Sequence, residues 1–381
     1  MKILVTVEPG LSHANAVIPF ADVLRRTGHN LLVAAGPTAV SNFQRAGFAG
    51  RSVVPDPPSS GDPALLEEIP DLRKASPREL IEISRREVSV RRRAVPLARA
   101  LLPLVSEWTP DLILRDATEL AGWAVAERCN LPHASIEVGL HWTPEDWYGP
   151  DGSALAALEG AIGLPKDCGP PTTLYRYLHI GTSPPGFLPP TLRLPDSTQL
   201  VRPTFHDNYG EAFIRPLADE WACLAFGTVY KADEDVVRAL AADLAGSFQH
   251  VLVSGSFTSP AANVTVASYI PQSLIMSRCA VVVCHGGRNT VLTALSAGVP
   301  VVCAPIASDQ FFISERVSEL GVGEECSWDV RELATAAIQV AGQRRYRKNA
   351  IRFSEKIKAM PPIETTVSVI EGAFKPSERM S

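Results

Sequence analysis

Apolar runs and amphipathic stretches take turns along the chain, and the series runs twice. KILVTV (2–7) is a continuous apolar run, EPGLSHANA a polar loop, VIPFADVLRRTG an amphipathic helix ending at Gly28, and HNLLVAAG the next strand. PDLILRD (110–116), a helix through AGWAVAERC and LPHASIEVG (131–139) repeat the unit. Near residue 210 the series restarts: ACLAFGT (222–228), a helix over 233–246, QHVLVSGS (249–256), NVTVASY (263–269), AVVVC (280–284) and VPVVCAP (299–305). Strands without polar alternation suit a parallel sheet covered on both faces. Alternation of such strands with helices predicts an α/β protein, two doubly wound Rossmann-like domains facing across a cleft. The boundary falls between residues 1–210 and a second domain over 211–362.

Between these units the pattern weakens. Residues 51–75 are rich in Pro, Ser, Asp and Gly and read as a mobile surface loop. Residues 76–108 return to helical spacing, started by Ser76-Pro77, with Pro96 and Pro103 expected to break or kink the run. Arg85, Arg86, Arg91, Arg92 and Arg93 form a basic run there, either a solvated helix face or a contact for an acidic partner or acceptor. The aromatic stretch HWTPEDWYGPDG (141–152) follows a strand end. Its Trp142 and Trp147 either line an apolar acceptor pocket or pack as a structural loop. Residues 165–216, dense in Pro, read as an interdomain passage.

Composition narrows the function. With 381 residues, 46% apolar and 20% charged, the chain is an ordinary soluble globular protein of two domains. A net charge of −5 argues against a nucleic-acid partner. No apolar run is long enough to span a membrane, and the N-terminal run has no signal-peptide form. Seven cysteines, several in apolar runs, read as reduced core residues of a cytoplasmic protein. Cys279 and Cys284 near His285 lack the paired spacing of a zinc site, so no metal is expected.

The turn His285-Gly286-Gly287-Arg288-Asn289-Thr290 sits where strand 280–284 ends. Two glycines admit a ligand to the backbone, and a helix N-terminus offers free N–H groups and partial positive charge. Asn289 or Thr290 can cap that helix and Gly298 can end it. The turn therefore suits a phosphate. Asp309-Gln310, just past the next strand, suit sugar hydroxyls. Phe226-Gly227-Thr228 is a second phosphate-friendly turn. Asp233-Glu234-Asp235 has the form of a metal-binding D-x-D, but acids at a helix start favour the dipole, and it reads as a helix start. In the first half His13 lies in a strand-end loop and Asp116 at a strand end. They form either a base with its orienting carboxylate or an unrelated histidine and capping acid. The absence of G-x-G-x-x-G disfavours a nicotinamide or flavin cofactor, and the absence of G-x-S-x-G disfavours a hydrolase triad.

SYIPQSLIM (268–276) followed by HGGRNTVLTALSAGVPVVCAPIASDQ (285–310), with His13, Asn15 and Pro19 as H-x-N-x-x-x-P, resembles the family 1 glycosyltransferases of the GT-B fold. The likeness is to the bacterial enzymes that decorate macrolide, enediyne and polyketide antibiotics. It implies an inverting, metal-independent transfer of a sugar, with no cofactor beyond the nucleotide-sugar co-substrate. The acceptor would be a hydroxyl or similar nucleophile of a hydrophobic natural product. It further implies His13 as general base with Asp116 as partner. Thr228, His285, Gly286, Gly287, Asn289 and Thr290 would hold the diphosphate. Tyr269 and Gln272 would meet the nucleobase, Asp309 and Gln310 the donor sugar. A helix in 363–381 would return to the N-terminal domain, and a homodimer is left open. Ser12, Asn289, Ser314 and Thr293 depart from the family pattern. Thr293 stands where UDP-sugar users place a glutamate on the ribose hydroxyls, which points to a dTDP-deoxysugar. The alternatives are a noncatalytic sugar-nucleotide-binding helper subunit and an NDP-sugar epimerase or hydrolase of the same fold.

Overall fold

A computed structural model describes residues 1–57, 67–69, 79, 83–139, 143, 147, 155–164, 173–207, 221–226 and 233–374. The chain divides into two compact units. One comprises residues 1–183, 191–202 and 361–381, the other residues 184–190 and 203–360.

The first unit holds a seven-stranded sheet. Its strands are β1 Lys2–Thr6, β2 Asn30–Ala35, β3 Ala49–Ser52, β4 Leu112–Asp116, β5 His133–Ile136, β6 Leu178–Gly181 and β7 Thr198–Leu200, in the order β3-β2-β1-β4-β5-β6-β7. Every pairing is parallel. The helices are α1 Leu11–Arg26, α2 Pro37–Arg45, α3 Val95–Trp108, α4 Leu120–Arg128 and α5 Ala156–Ile162. A π-helical stretch, Ser84–Ala94, leads into α3. One face of the sheet is sealed by α3, α4 and α5, whose Leu101, Trp123 and Leu158 pack on Leu4, Leu32 and Ile113. Burying such side chains is worth about 1.5–3 kcal/mol each.

The second unit holds six parallel strands in the order β10-β9-β8-β11-β12-β13. These are β8 Trp221–Ala225, β9 His250–Ser254, β10 Val264–Ala267, β11 Cys279–Cys284, β12 Val301–Cys303 and β13 Gly323–Glu325. Its helices are α6 Glu234–Ala245, α7 Gln272–Ile275, α8 Arg288–Ser296, α9 Gln310–Glu319, α10 Val330–Gly342 and α11 Arg344–Lys358. Strand side chains alternate between two cores. Cys223 and Ala225 face the α8 side, Ala222 and Leu224 the α6 and α10 side. The last helix, α12 Thr365–Phe374, belongs to the first unit, where it packs on α1 and β6.

Several expectations are corrected. Helix α1 begins at Leu11, so His13 sits in its first turn and not in a loop. Gly10, at φ +132°, lets the chain turn straight from strand to helix, and Pro19 is carried inside. Pro103 lies inside α3 without ending it, and Pro96 is carried at the junction where the π-helical stretch passes into α3. The passage 165–216 contains β6 and β7. Strands of four and three residues are too short to show alternation. The D-x-D reading resolves as a helix start: Asp233 accepts from the N–H of Asp235 and caps α6. The surface loop 51–75 lies largely outside the described residues.

Candidate functional site

In both sheets the strand order reverses between the unit's first strand and its fourth, β1 beside β4 and β8 beside β11. Crossover helices leave such a pair toward opposite faces, so a crevice opens beyond the carboxyl ends. The His13–Asp116 pair and the His285–Thr290 turn lie at these two places, while Asp309 and Gln310 follow β12, and Tyr269 and Gln272 follow the edge strand β10.

At the first, the register Thr6↔Arg115 brings the ends of β1 and β4 side by side. His13 Nδ1 lies 2.5 Å from Asp116 Oδ2. Asp116 is fully buried, and its Oδ1 accepts from both the N–H and the hydroxyl of Thr118 at 2.7 Å. The backbone N–H of Glu8 approaches Oδ2 at 3.4 Å. Arg115, also fully buried, ties the loop that follows. Its Nη1 donates to the carbonyls of Asp116, Ala117 and Glu119, and its Nη2 to that of Leu174. Asp116 is thus fixed from several sides. A carboxylate held in this way orients the imidazole with Nδ1–H toward it and leaves the Nε2 lone pair outward. About a quarter of the His13 side chain, 26%, stays accessible.

The charges agree with this arrangement. Burial alone would lower the His13 pKa, but the Asp116 charge and hydrogen bond, with help from Glu8, raise it above its ordinary 6.5. Burial would raise Asp116, yet His13 and Thr118 hold it below its ordinary value. Glu8 is raised by burial against the pull of Arg93 and His13. Burial likewise pushes Glu119 up to about 7, against hydrogen bonds from Thr6 and Gly122.

At the second place, β11 ends in His285-Gly286-Gly287 and α8 begins at once. Gly286 takes φ +80°, and a Cβ there would meet Ser314 Oγ at 2.5 Å and the Gln310 carbonyl at 3.0 Å. Gly287 is the N-cap residue, and no side chain caps the helix. Asn289 and Thr290 therefore lie inside the first turn, which corrects their reading as caps. His285 is lowered by burial, partly opposed by the Ala225 carbonyl, so its imidazole is neutral near pH 7.

Beyond β12, Ser308 adopts φ +59°, an uncommon conformation for a residue with a side chain. It turns the chain into Asp309 and Gln310. Gln310 is buried, and its Oε1 accepts from the N–H groups of Ile306 and Ala307 at 2.8 and 3.1 Å. Its carbonyl end thus holds the loop, and its NH₂ end is the group left to meet a ligand. Tyr269 donates its hydroxyl to Asp207 at 3.1 Å, and Asp207 also accepts from the Ser273 N–H. Gln272 opens α7 beside this bridge.

Thr228 and Trp142 lie outside the described residues. Trp147 is buried at 3% within the core of α3, α4 and α5, so it is a core side chain and not the wall of an open pocket. Among the described residues, no cluster of His, Cys, Asp and Glu has metal-binding form. Sequence reasoning missed Glu8, Thr118, Arg115 and Asp207. Glu8 carried a signal, being a charge placed directly after an apolar strand. Asp207, inside a Pro-rich stretch, carried none.

Known proteins resemble this chain over nearly its whole length. Residues 229–371 match the family described as erythromycin biosynthesis protein CIII-like, C-terminal domain. Erythronolide mycarosyltransferase of Saccharopolyspora erythraea is 24% identical, over 97% of this chain and 98% of that protein. L-demethylnoviosyl transferase of Streptomyces niveus is 27% identical, over 98% and 97%. Among solved structures, the Streptomyces sp. SF2575 glycosyltransferase SsfS6 complexed with thymidine diphosphate superposes with a TM-score of 0.78 at 24% identity, over 98% of this chain and 100% of that one. The spinosyn rhamnosyltransferase SpnG, also with thymidine diphosphate, gives 0.76 at 21%, over 97% and 100%. With two parallel-sheet α/β units and whole-length likeness to named glycosyltransferases, the chain is a glycosyltransferase of the GT-B fold, similar to those of antibiotic biosynthesis.

Proposed function

We propose that this enzyme moves a deoxysugar from a dTDP-sugar to a hydroxyl, or a similar nucleophile, of a hydrophobic natural-product acceptor, with inversion at the anomeric carbon. The observation that carries the proposal is the His13–Asp116 pair at 2.5 Å, built into the strand-order reversal of the first unit. His13 Nε2 takes the acceptor proton as the oxygen attacks the anomeric carbon, and Asp116 stabilises the imidazolium that forms. The C–O bond to the departing nucleoside diphosphate breaks as the new one forms, on the opposite face, so configuration inverts. Negative charge grows on the leaving diphosphate. The uncapped N-terminus of α8, the Gly286-Gly287 backbone and the hydroxyl of Thr290 receive it, with Thr228 as a further donor, while the one N–H of the neutral His285 ring is turned to the Ala225 carbonyl and steadies the turn. Such preorganised donors need no metal. Asp309 and the NH₂ of Gln310 meet the sugar hydroxyls, and Tyr269, steadied by Asp207, meets the base. Activity in the cytoplasm fits such a substrate. Among the described residues no helix is long and apolar enough to cross a membrane.

The test is His13→Ala with a phenolic acceptor and a panel of dTDP-sugars. Turnover is expected to fall at least about a hundredfold, while dTDP affinity measured by calorimetry stays within about twofold. Turnover close to that of the unaltered enzyme would remove His13 as the base.

A further inference from the structure

Beside the His13–Asp116 pair lies a second ion pair that the mechanism above leaves unused. Glu8, on the turn after β1, is 4% exposed, and its carboxylate receives Arg93 Nη1 at 3.0 Å. Arg93 comes from the π-helical stretch Ser84–Ala94, a conformation rare in general and common at functional sites. The two arginines just before it turn elsewhere, Arg91 to Glu87 and Arg92 to Glu68. Glu8 touches the dyad by two routes. Its backbone N–H points at Asp116 Oδ2, and its carboxylate is within electrostatic reach of His13. Its side chain also walls a cavity of about 490 Å³ in the first unit, with Val7, Gly36, Asp56, Arg93 and Leu97 around it. That volume suits a small molecule.

We propose that Glu8, held by Arg93, is a positioning residue for the general base: its N–H aims Asp116, and its ion-paired carboxylate sets the charge that His13 experiences. This rests on His13 being the base. The groups facing His13 are Asp116, Thr118, Glu8 and Arg93, and those facing Glu8 are Arg93, His13, Asp116 and Glu119. An unpaired anion at Glu8 would stabilise the imidazolium further and keep the base protonated, while an unpaired cation at Arg93 would do the reverse. Together they are close to neutral, so His13 answers chiefly to Asp116. Glu8 is buried and Arg93 partly so, and the pair is therefore screened less than surface ions are. Leaving either charge alone would cost stability as well as disturb the base.

The experiment is an NMR titration of the His13 ring in the full-length protein with no substrate present, the signal identified by its loss in His13→Ala. Glu8→Gln removes the anion and leaves Arg93 unpaired beside the imidazole. The His13 midpoint should fall by at least about 0.5 pH unit, a threefold change in proton affinity. The double variant Glu8→Gln/Arg93→Gln removes both charges and should return the midpoint to within about 0.2 unit. If Glu8→Gln does not fold, Glu8→Asp withdraws the carboxylate by one carbon and should move the midpoint the same way by a smaller, resolvable amount of about 0.2 unit. A midpoint that stays put in the folded single variant, or a double variant no closer to the unaltered protein than the single, would overturn the proposal. The readout does not use turnover, so it separates this idea from the base assignment. A midpoint that moves while His13→Ala remains active would keep the ion pair and discard the base.

Discussion

Glu119 is a buried acid whose titration the fold displaces toward neutrality. Its Oε1 accepts from the N–H groups of Ala121 and Gly122, and its Oε2 from the Thr6 hydroxyl. Burial still wins and lifts it to about 7. An acid raised above its unfolded value of about 4.5 binds more protons when folded. The stability it contributes is therefore complete below about pH 4.5 and is lost as pH rises to about 7. Glu119→Gln keeps an oxygen for the two N–H groups and abolishes the titration. Denaturant unfolding should show the stability gap between variant and unaltered protein shifting in the variant's favour across that window, by up to about 3 kcal/mol, and flat above pH 8. A gap independent of pH would contradict the raised value. At this scale His13 and Asp116 were legible in the sequence, because a charge closing an apolar strand and a histidine between a strand and its following helix stand out. Glu8, Thr118 and Arg115 act only through the parallel register of β1 on β4, which joins residues about 110 positions apart, and no local pattern records that.

Elements show the same division. Strands β1, β4, β8, β11 and β12 are buried on both faces, so their apolar runs announced them. β3, with its exposed Ala-Gly-Arg-Ser, and β6 and β7, each a few residues long, are held by neighbours and not by their own composition. The turn between β11 and α8 was readable in kind, though not in its cap. Its tightest point is Gly286, where positive φ and close approach coincide. Gly286→Ala costs about 1–2 kcal/mol for the left-handed backbone alone. Its Cβ must also displace the Gln310 carbonyl, which is backbone and cannot swing aside. Chemical unfolding should register a loss of about 2 kcal/mol or more, and calorimetry a fall in dTDP affinity of at least about tenfold. Adding Ser314→Ala relieves only the hydroxyl contact and should recover a minor part. A Gly286→Ala variant with full stability and full dTDP affinity would show that the turn does not set the diphosphate site.

For the molecule as a whole, the doubled strand–helix series and the doubled strand order agree: in each unit the sheet reverses direction beside its first strand, where the His13–Asp116 pair and the His285–Thr290 turn lie. The series was visible in the sequence. The return of a helix in 363–381 to the first unit came only from the family resemblance, and the passage of 184–190 into the second was not visible, because Arg316, far along the chain, holds the Gly186 and Phe187 carbonyls. What such an enzyme accepts as donor then turns on small choices in the second unit, and Thr293 is the sharpest. Its hydroxyl is folded back onto the Asn289 carbonyl at 2.7 Å, the i−4 bond that threonine makes within a helix. Turned inward, it offers no carboxylate to a pair of ribose hydroxyls. With the donor ribose placed at this position, as the family resemblance implies, a UDP-sugar would gain nothing from its 2′-hydroxyl and would have to desolvate it, at about 1–3 kcal/mol if it stays unpaired. We expect calorimetry to show dTDP bound at least as tightly as UDP. Thr293→Glu restores a charged acceptor, and a hydrogen bond to a charged group is worth about 1.5–3 kcal/mol, so the ratio of UDP to dTDP affinity should rise about tenfold or more. Because the threonine hydroxyl bonds only to its own helix, the exchange should leave the melting temperature within a few degrees. If the unaltered enzyme already prefers UDP, or if the glutamate changes both affinities alike, position 293 does not choose the nucleotide, and the dTDP assignment would lose its physical basis.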